Sequence, residues 1–242
     1  MEQIRLQKIL SNHGYGSRRD CELIISSGRV KINGKTAKLG DRGNPEADTI
    51  SIDGKILSVN PFHHIYIAFN KPKNVLSEIK PSGKRKTARE FISIEDYLHI
   101  VGRLDYRSEG LILFTNNGEL ANRLTHPRYE HEKEYEVQLD KRLAPKHKSI
   151  WENGVVLDNG YKTLPAEINE LNTECNEFRY RIVMREGKKR QIRDCARILG
   201  YRVSRLIRVR IGSLELGNLA SGEWRNLTSS EEVSLLTITG LK

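Results

Sequence analysis

Residues 99–124 read HIVGRLDYRSEGLILFTNNGELANRL. The string predicts a turn bearing Arg103 and Asp105, then a buried strand over Leu111–Thr115, a turn at Asn116–Gly118 and a helix over Glu119–Leu124. Asp105 lies between Arg103 and Arg107, just ahead of the apolar run, so it falls at the edge of a core. There the two cations favour its anionic form while bulk water is held off. A carboxylate so placed can act as nucleophile or as base.

On either side, strand-like runs alternate with short helical ones. IYIAFN, LILFT, EKEYEVQL and FRYRIVM read as strands, and GELANRL and RQIRDCARILG as helices. Helices do not follow every strand, which indicates an α+β domain with a mixed, largely antiparallel sheet rather than a doubly wound one.

The first sixty residues read as a separate small unit. Ile4, Leu6, Ile9 and Leu10 recur at helical spacing up to Asn12–Gly14. Ser17 caps a second helix with Leu23, Ile24 and Ile25 inside, and Gly28 stops it. A strand over Arg29–Ile32 meets Asn33-Gly34, a dipeptide that accepts positive φ twice and makes a tight hairpin. TISIDGKIL reads as a further strand, and SVNPFHH, with Pro61, as a linker. The expected domains are therefore 1–60 and 61–242.

Among 242 residues there are 41 Lys and Arg against 31 Asp and Glu, a net charge of +10. Such a balance suits a polyanion, because each cation set against a phosphate releases a counterion. Between Arg185 and Arg210 stand ten basic residues against Glu186 and Asp194 alone, mostly arginines, whose planar fork fits phosphate. Cys21, Cys175 and Cys195 form no CxxC pair, which fits a reducing compartment, and MEQIRLQKIL is no signal peptide. No apolar run reaches membrane-spanning length. The expectation is a cytoplasmic protein with no membrane partner.

Two strings carry a resemblance. RLQKILSNHGYGSRRDCELIISSGRVKINGK, residues 5–35, resembles the S4-like RNA-binding domain. GRLDYRSEGLILFTNNG, residues 102–118, resembles the signature of the RsuA/RluB/RluF-type pseudouridine synthases, departing from it at Asn117. AFNKPKNVLS (68–77) is similar to that family's Asn-Lys-Pro segment, with Asn74 in place of the usual Gly; Asn tolerates left-handed backbone, so the turn survives. HEKEYEVQL supplies Tyr135, and the segment 185–224 resembles the closing motif, with Asp194 and Cys195 as its departures.

The resemblance implies an S4-like domain followed by a pseudouridine synthase catalytic domain. It implies that Asp105 is the catalytic aspartate, that Tyr135 stacks on the extruded uracil, and that Arg193 pairs with Asp105. RNA contacts are expected at Arg5, Lys8, Ser17, Arg18, Arg19, Arg29 and Lys35 in the first unit. In the second they are expected at Lys71, Arg103, Arg107, Lys188, Lys189, Arg190, Arg205 and Arg208. Leu104 and Ile192 are candidate apolar walls that keep water from the intermediate.

Isomerising uridine oxidises nothing and releases no group, so no cofactor is expected. The seven histidines and three cysteines fall into no zinc spacing, so no metal is expected either. The implied partner is structured RNA, ribosomal RNA of the large subunit first and transfer RNA as an alternative, acted on by a monomer. Two rival readings are a non-catalytic RNA-binding assembly factor, which has no use for Asp105, Tyr135 and Arg193 together, and a DNA-binding regulator. No dimerisation segment supports the latter, and DNA is not an expected partner.

Overall fold

The computed structural model describes residues 3–57, 63–79, 83–172 and 177–242. Pro61, the expected boundary at 60/61 and Cys175 lie outside the described residues. The chain forms two compact units; the first runs through Ile65 and takes in Ile94–Leu98 and Asn116–Gly118.

In the first unit β1 (Ile4–Arg5) leads into α1 (Leu6–Asn12), and α2 (Arg18–Ser26) follows. Ser17 caps α2 through a reciprocal box. Its hydroxyl accepts from the Asp20 amide at 3.1 Å, and its own amide donates to the Asp20 carboxylate at 3.0 Å. Then come β2 (Val30–Ile32), β3 (Lys35–Thr36), β4 (Arg42–Gly43), β5 (Ile50–Ile52) and β6 (Lys55–Ile56). β1 pairs with β4, and a small antiparallel sheet runs in the order β3-β2-β5-β6.

Asn33 and Gly34 take φ of 49° and 78°, as the hairpin requires. Asp53 and Gly54, at 50° and 80°, do the same, so TISIDGKIL is a second hairpin rather than one strand. Leu6, Ile9, Leu10, Cys21, Ile25, Val30, Ala37, Ile50 and Ile52 make the core. Leu23, expected inside, is 70% exposed, because the buried stripe of α2 runs through Cys21 and Ile25, four residues apart.

The second unit is built on β7 (Tyr66–Lys71), β8 (His99–Val101), β9 (Glu109–Thr115), α3 (Gly118–Thr125), β10 (Lys133–Leu139), α4 (Pro145–Glu152), β11 (Ala166–Leu171) and β12 (Phe178–Met184). It is completed by α5 (Gln191–Ile198), β13 (Val203–Ile211), β14 (Leu214–Glu215), β15 (Trp224–Asn226) and α6 (Ser229–Ile238). Among the described residues the sheet has nine strands, in the order β11-β12-β10-β13-β9-β7-β15, with β14 beside β13 and β8 beside β9. Its pairings are antiparallel except β13 with β9, so the sheet is mixed and largely antiparallel, as expected.

Leu111–Phe114 are fully buried, which explains why β9 is apolar throughout while β10 alternates. On β10, Tyr135, Val137 and Leu139 face the core. Glu134 and Glu136 face outward and pair with Arg181, Arg210 and Arg179 across neighbouring strands. Glu132 adds pairs to Arg185 and Arg210. Arg197 pairs with Asp158, and Arg205 with Glu109 at 3.0 Å. Much of the basic stretch is thus paired with carboxylates, while Arg202 and the loop Lys188–Arg190 are exposed.

Candidate active site

The loop from β8 to β9 carries Asp105. Ser77 fixes its depth: the Ser77 hydroxyl donates to the Leu104 carbonyl at 2.7 Å and accepts from the Leu104 amide at 3.0 Å. With Leu104 turned inward, its neighbours Arg103 and Asp105 are turned outward; Arg103 is exposed and Asp105 half-buried. The Ser108 amide closes the turn on the Asp105 carbonyl at 2.9 Å. The Asn-Lys-Pro segment packs alongside, the Asn74 amide donating to the Tyr106 carbonyl at 2.8 Å. Asn74 has φ of 61°, the left-handed backbone expected of it.

Arg193, on the first turn of α5, is half-buried. It donates to the Val203 carbonyl at 3.1 Å and reaches the Ser108 hydroxyl at 3.5 Å, while its buried Nε has no partner. Among the described residues it forms no salt bridge with Asp105. It is tied to the Asp105 turn through Ser108. Burial lowers the pKa of Arg193, and Asp105 opposes that shift, so the two charges feel each other through space.

Tyr135 is 7% exposed, with Arg208 opposite it on β13 and in contact with its phenol. Ile192 is buried beside Arg193 on α5, and Leu104 beside Asp105.

Two expected RNA contacts are corrected. Lys71 is wholly enclosed, its ammonium donating to the Pro72 and Val75 carbonyls at 2.9 Å each. Burial pulls its pKa down to about 8, against the pull of Glu109 and Asp105. Arg208 is 1% exposed and donates to the Leu111 carbonyl at 2.8 Å and the Gly102 carbonyl at 2.7 Å. Both side chains shape the loop from beneath; neither reaches solvent.

The other expected contacts divide by how far they are already engaged. Arg107, Lys188, Lys189 and Arg190 are exposed, as are Arg5, Arg18, Arg19 and Lys35 in the first unit, where Lys8 is half-buried. Arg29 makes a forked pair with Asp53, Arg205 one with Glu109, and the Ser17 hydroxyl serves its cap.

Reading residues alone missed Ser77, Ser108 and Glu186. The Glu186 carboxylate, buried, accepts from the Tyr161 hydroxyl at 2.6 Å, the Leu164 amide at 2.7 Å and the Gln191 side chain at 2.7 Å. It thereby fixes the basic loop that ends in Arg190, whose φ of 59° starts α5.

Residues 65–197 match the family described as RNA pseudouridylate synthase, and residues 4–46 match the S4 domain. The chain belongs to the RNA pseudouridylate synthase family. The synthase match runs from the start of β7 into α5 and so includes Asp105, Tyr135 and Arg193. This synthase is 39% identical over 246 residues to an uncharacterized RNA pseudouridine synthase of Aquifex aeolicus (strain VF5), covering 100% of this chain and 97% of that one. It is 35% identical over 247 residues to the ribosomal large subunit pseudouridine synthase B of Buchnera aphidicola subsp. Acyrthosiphon pisum (strain APS), covering 98% of each. A crystal structure of a pseudouridylate synthase aligns with TM-score 0.69 and 28% identity, over 96% of this chain and 99% of the other.

Proposed function

We propose that this synthase converts uridine to pseudouridine in large-subunit ribosomal RNA, with Asp105 as the reacting carboxylate. The bond from uracil N1 to ribose C1′ breaks, the detached base rotates, and a new bond joins C5 to C1′. The proton on C5 then leaves and N1 takes one up, so the product is an isomer of the starting nucleoside. Asp105 serves either by attacking C1′ or by removing a proton from C2′; both need a carboxylate held at the edge of a closed pocket. The target base must first leave its stack to reach the carboxylate.

The observation behind this reading is the arrangement around one turn. Asp105 projects from a loop that Ser77 holds at one side, and Arg193 reaches the same turn through Ser108. Leu104 and Ile192 supply apolar wall, which limits interception of the intermediate by water. Arg103, Arg107 and the loop Lys188–Arg190 are the exposed cations for phosphate in this unit. Arg5, Lys8, Arg18, Arg19 and Lys35 play that part in the S4 domain.

The large-subunit assignment draws on the similarity to the Buchnera enzyme. The test is Asp105→Asn, assayed by tritium release from ribosomal RNA labelled at uracil C5. Release is expected to vanish while RNA affinity stays within about threefold; release at the wild-type rate would remove Asp105 from the reaction.

A further inference from the structure

Arg208 is a charged side chain with almost no access to water, at the centre of the sheet. Among the described residues no carboxylate forms a salt bridge with it. Two further cations lie near it, the buried Lys71 and the half-buried Lys133. Lys71 and Lys133 both feel its charge, and burial draws each of them down to about 8. A guanidinium held among like charges without a counter-ion is unfavourable unless its donors are well used.

They are used on the loop. Nη2 donates to the carbonyl of Gly102, where the loop leaves β8, and Nε donates to the carbonyl of Leu111, where it has entered β9. Tyr135 stands directly opposite Arg208 in the pairing of β10 with β13, and its phenol acts on the guanidinium's charge. The sheet order puts β13 between β10 and β9, so one side chain reaches both the strand of Tyr135 and the two feet of the Asp105 loop. Gly102 has φ of 70°, and a β-carbon there would meet Nη1 at 3.1 Å, so the loop closes directly over the guanidinium.

We propose that Arg208 is a positioning residue for the reaction, holding the Asp105 loop and the Tyr135 ring in one fixed relation without touching RNA. The inference rests on the reading that Asp105 is the reacting carboxylate. A lysine cannot replace the fork, because its three donors diverge from one nitrogen and cannot span the separate positions from which Nε and Nη2 reach the Leu111 and Gly102 carbonyls.

Arg208→Lys is the first variant, assayed by tritium release from ribosomal RNA labelled at uracil C5. Its kcat is expected to fall about 10- to 100-fold while KM stays within about threefold. Hydrogen exchange is expected to quicken over residues 102–111 and to remain unchanged over residues 166–171 of β11, at the edge of the sheet. A wild-type kcat overturns the proposal, as does exchange that quickens evenly across both segments.

Because a buried arginine can be needed for folding itself, Gly102→Ala approaches the same contact from the other side. Its methyl presses on Nη1 and strains the left-handed backbone there while the arginine itself is kept, and the same loss of kcat at constant KM is expected. A Gly102→Ala enzyme of wild-type rate overturns the proposal even if Arg208→Lys fails to fold. Asp105→Asn assayed in parallel separates the two readings. If that variant turns over normally, the assignment of the carboxylate fails and the proposal goes with it. If it is dead while the Arg208 and Gly102 variants are normal, only the positioning role fails.

Discussion

Gly110 lies flat against the backbone of Arg208: a β-carbon at Gly110 would stand 2.3 Å from the Arg208 carbonyl oxygen and 2.7 Å from its amide nitrogen. The two residues face each other in the parallel pairing of β9 with β13. With φ of 103°, position 110 also lies in backbone space that side chains rarely occupy.

Gly110→Ala is therefore expected to force the two strands apart where the Asp105 loop enters the sheet. Strained backbone and the clash together should cost about 3 kcal/mol or more. Urea unfolding followed by far-ultraviolet circular dichroism measures this. A change below about 0.5 kcal/mol, the range of an ordinary surface substitution, would mean that the strands can separate freely.

Nothing in the sequence singled out that glycine, whereas other positions were legible. The apolar run Leu111–Thr115 and the hairpin dipeptide Asn33-Gly34 announce themselves, because strand burial and positive φ each restrict the residues allowed. The mixed sheet was readable because helices do not follow every strand, and the S4 domain through the likeness of residues 5–35 to that family. Leu23 misled because a helix of nine residues holds a narrow buried stripe, and three consecutive apolar residues cannot all lie on it. Lys71 and Arg208 misled because charge is visible in a sequence and enclosure is not. The partners of Arg208 come from about a hundred positions away, and Lys71 bonds its own turn only once β7 is packed on β9. Ser77 carried no signal at all: its work is to bond a residue 27 positions away.

Ser77→Ala tests that work. The substitution leaves the buried Leu104 amide without an acceptor and its carbonyl without the hydroxyl donor, a cost of about 1–3 kcal/mol. Since Leu104 adjoins Asp105, the single-turnover rate should fall more than RNA affinity does. Thermal unfolding and rapid-quench kinetics on the same preparation check both. A stability loss with an unchanged rate would show that Asp105 does not depend on the depth of Leu104.

Glu186 gives a prediction with a spectroscopic readout. The Tyr161 hydroxyl donates to this carboxylate, and that bond raises the Tyr161 pKa. Glu186→Gln removes the charge, so the tyrosine should ionise at lower pH, visible in ultraviolet titration. Losing a charge-assisted network costs about 1.5–3 kcal/mol. The loop Lys188–Arg190 should loosen, raising KM for RNA while kcat changes less. An unaltered KM would detach this network from RNA binding.

The last prediction concerns acid. Glu231 sits in the first turn of α6, where it accepts from the Thr228 amide at 2.8 Å and takes a forked pair from Arg225 on β15 at 2.7 Å per bond. These bonds hold its carboxyl down to about 2, with the Arg225 pairing the largest cause. The unfolded chain then takes up a proton at this position before the folded one does. Stability from Glu231 is complete above the ordinary carboxylate value and drains away as pH falls through about 2. Glu231→Gln should cost about 1–2 kcal/mol at neutral pH, since the cap is weakened and the partly exposed pair is lost. The gap between the two proteins should narrow at pH 3 and close near pH 2. Urea midpoints for both proteins at pH 7, 5 and 3 decide the matter. A gap that stays constant over this range would mean that the side chain acts through packing and not through its charge.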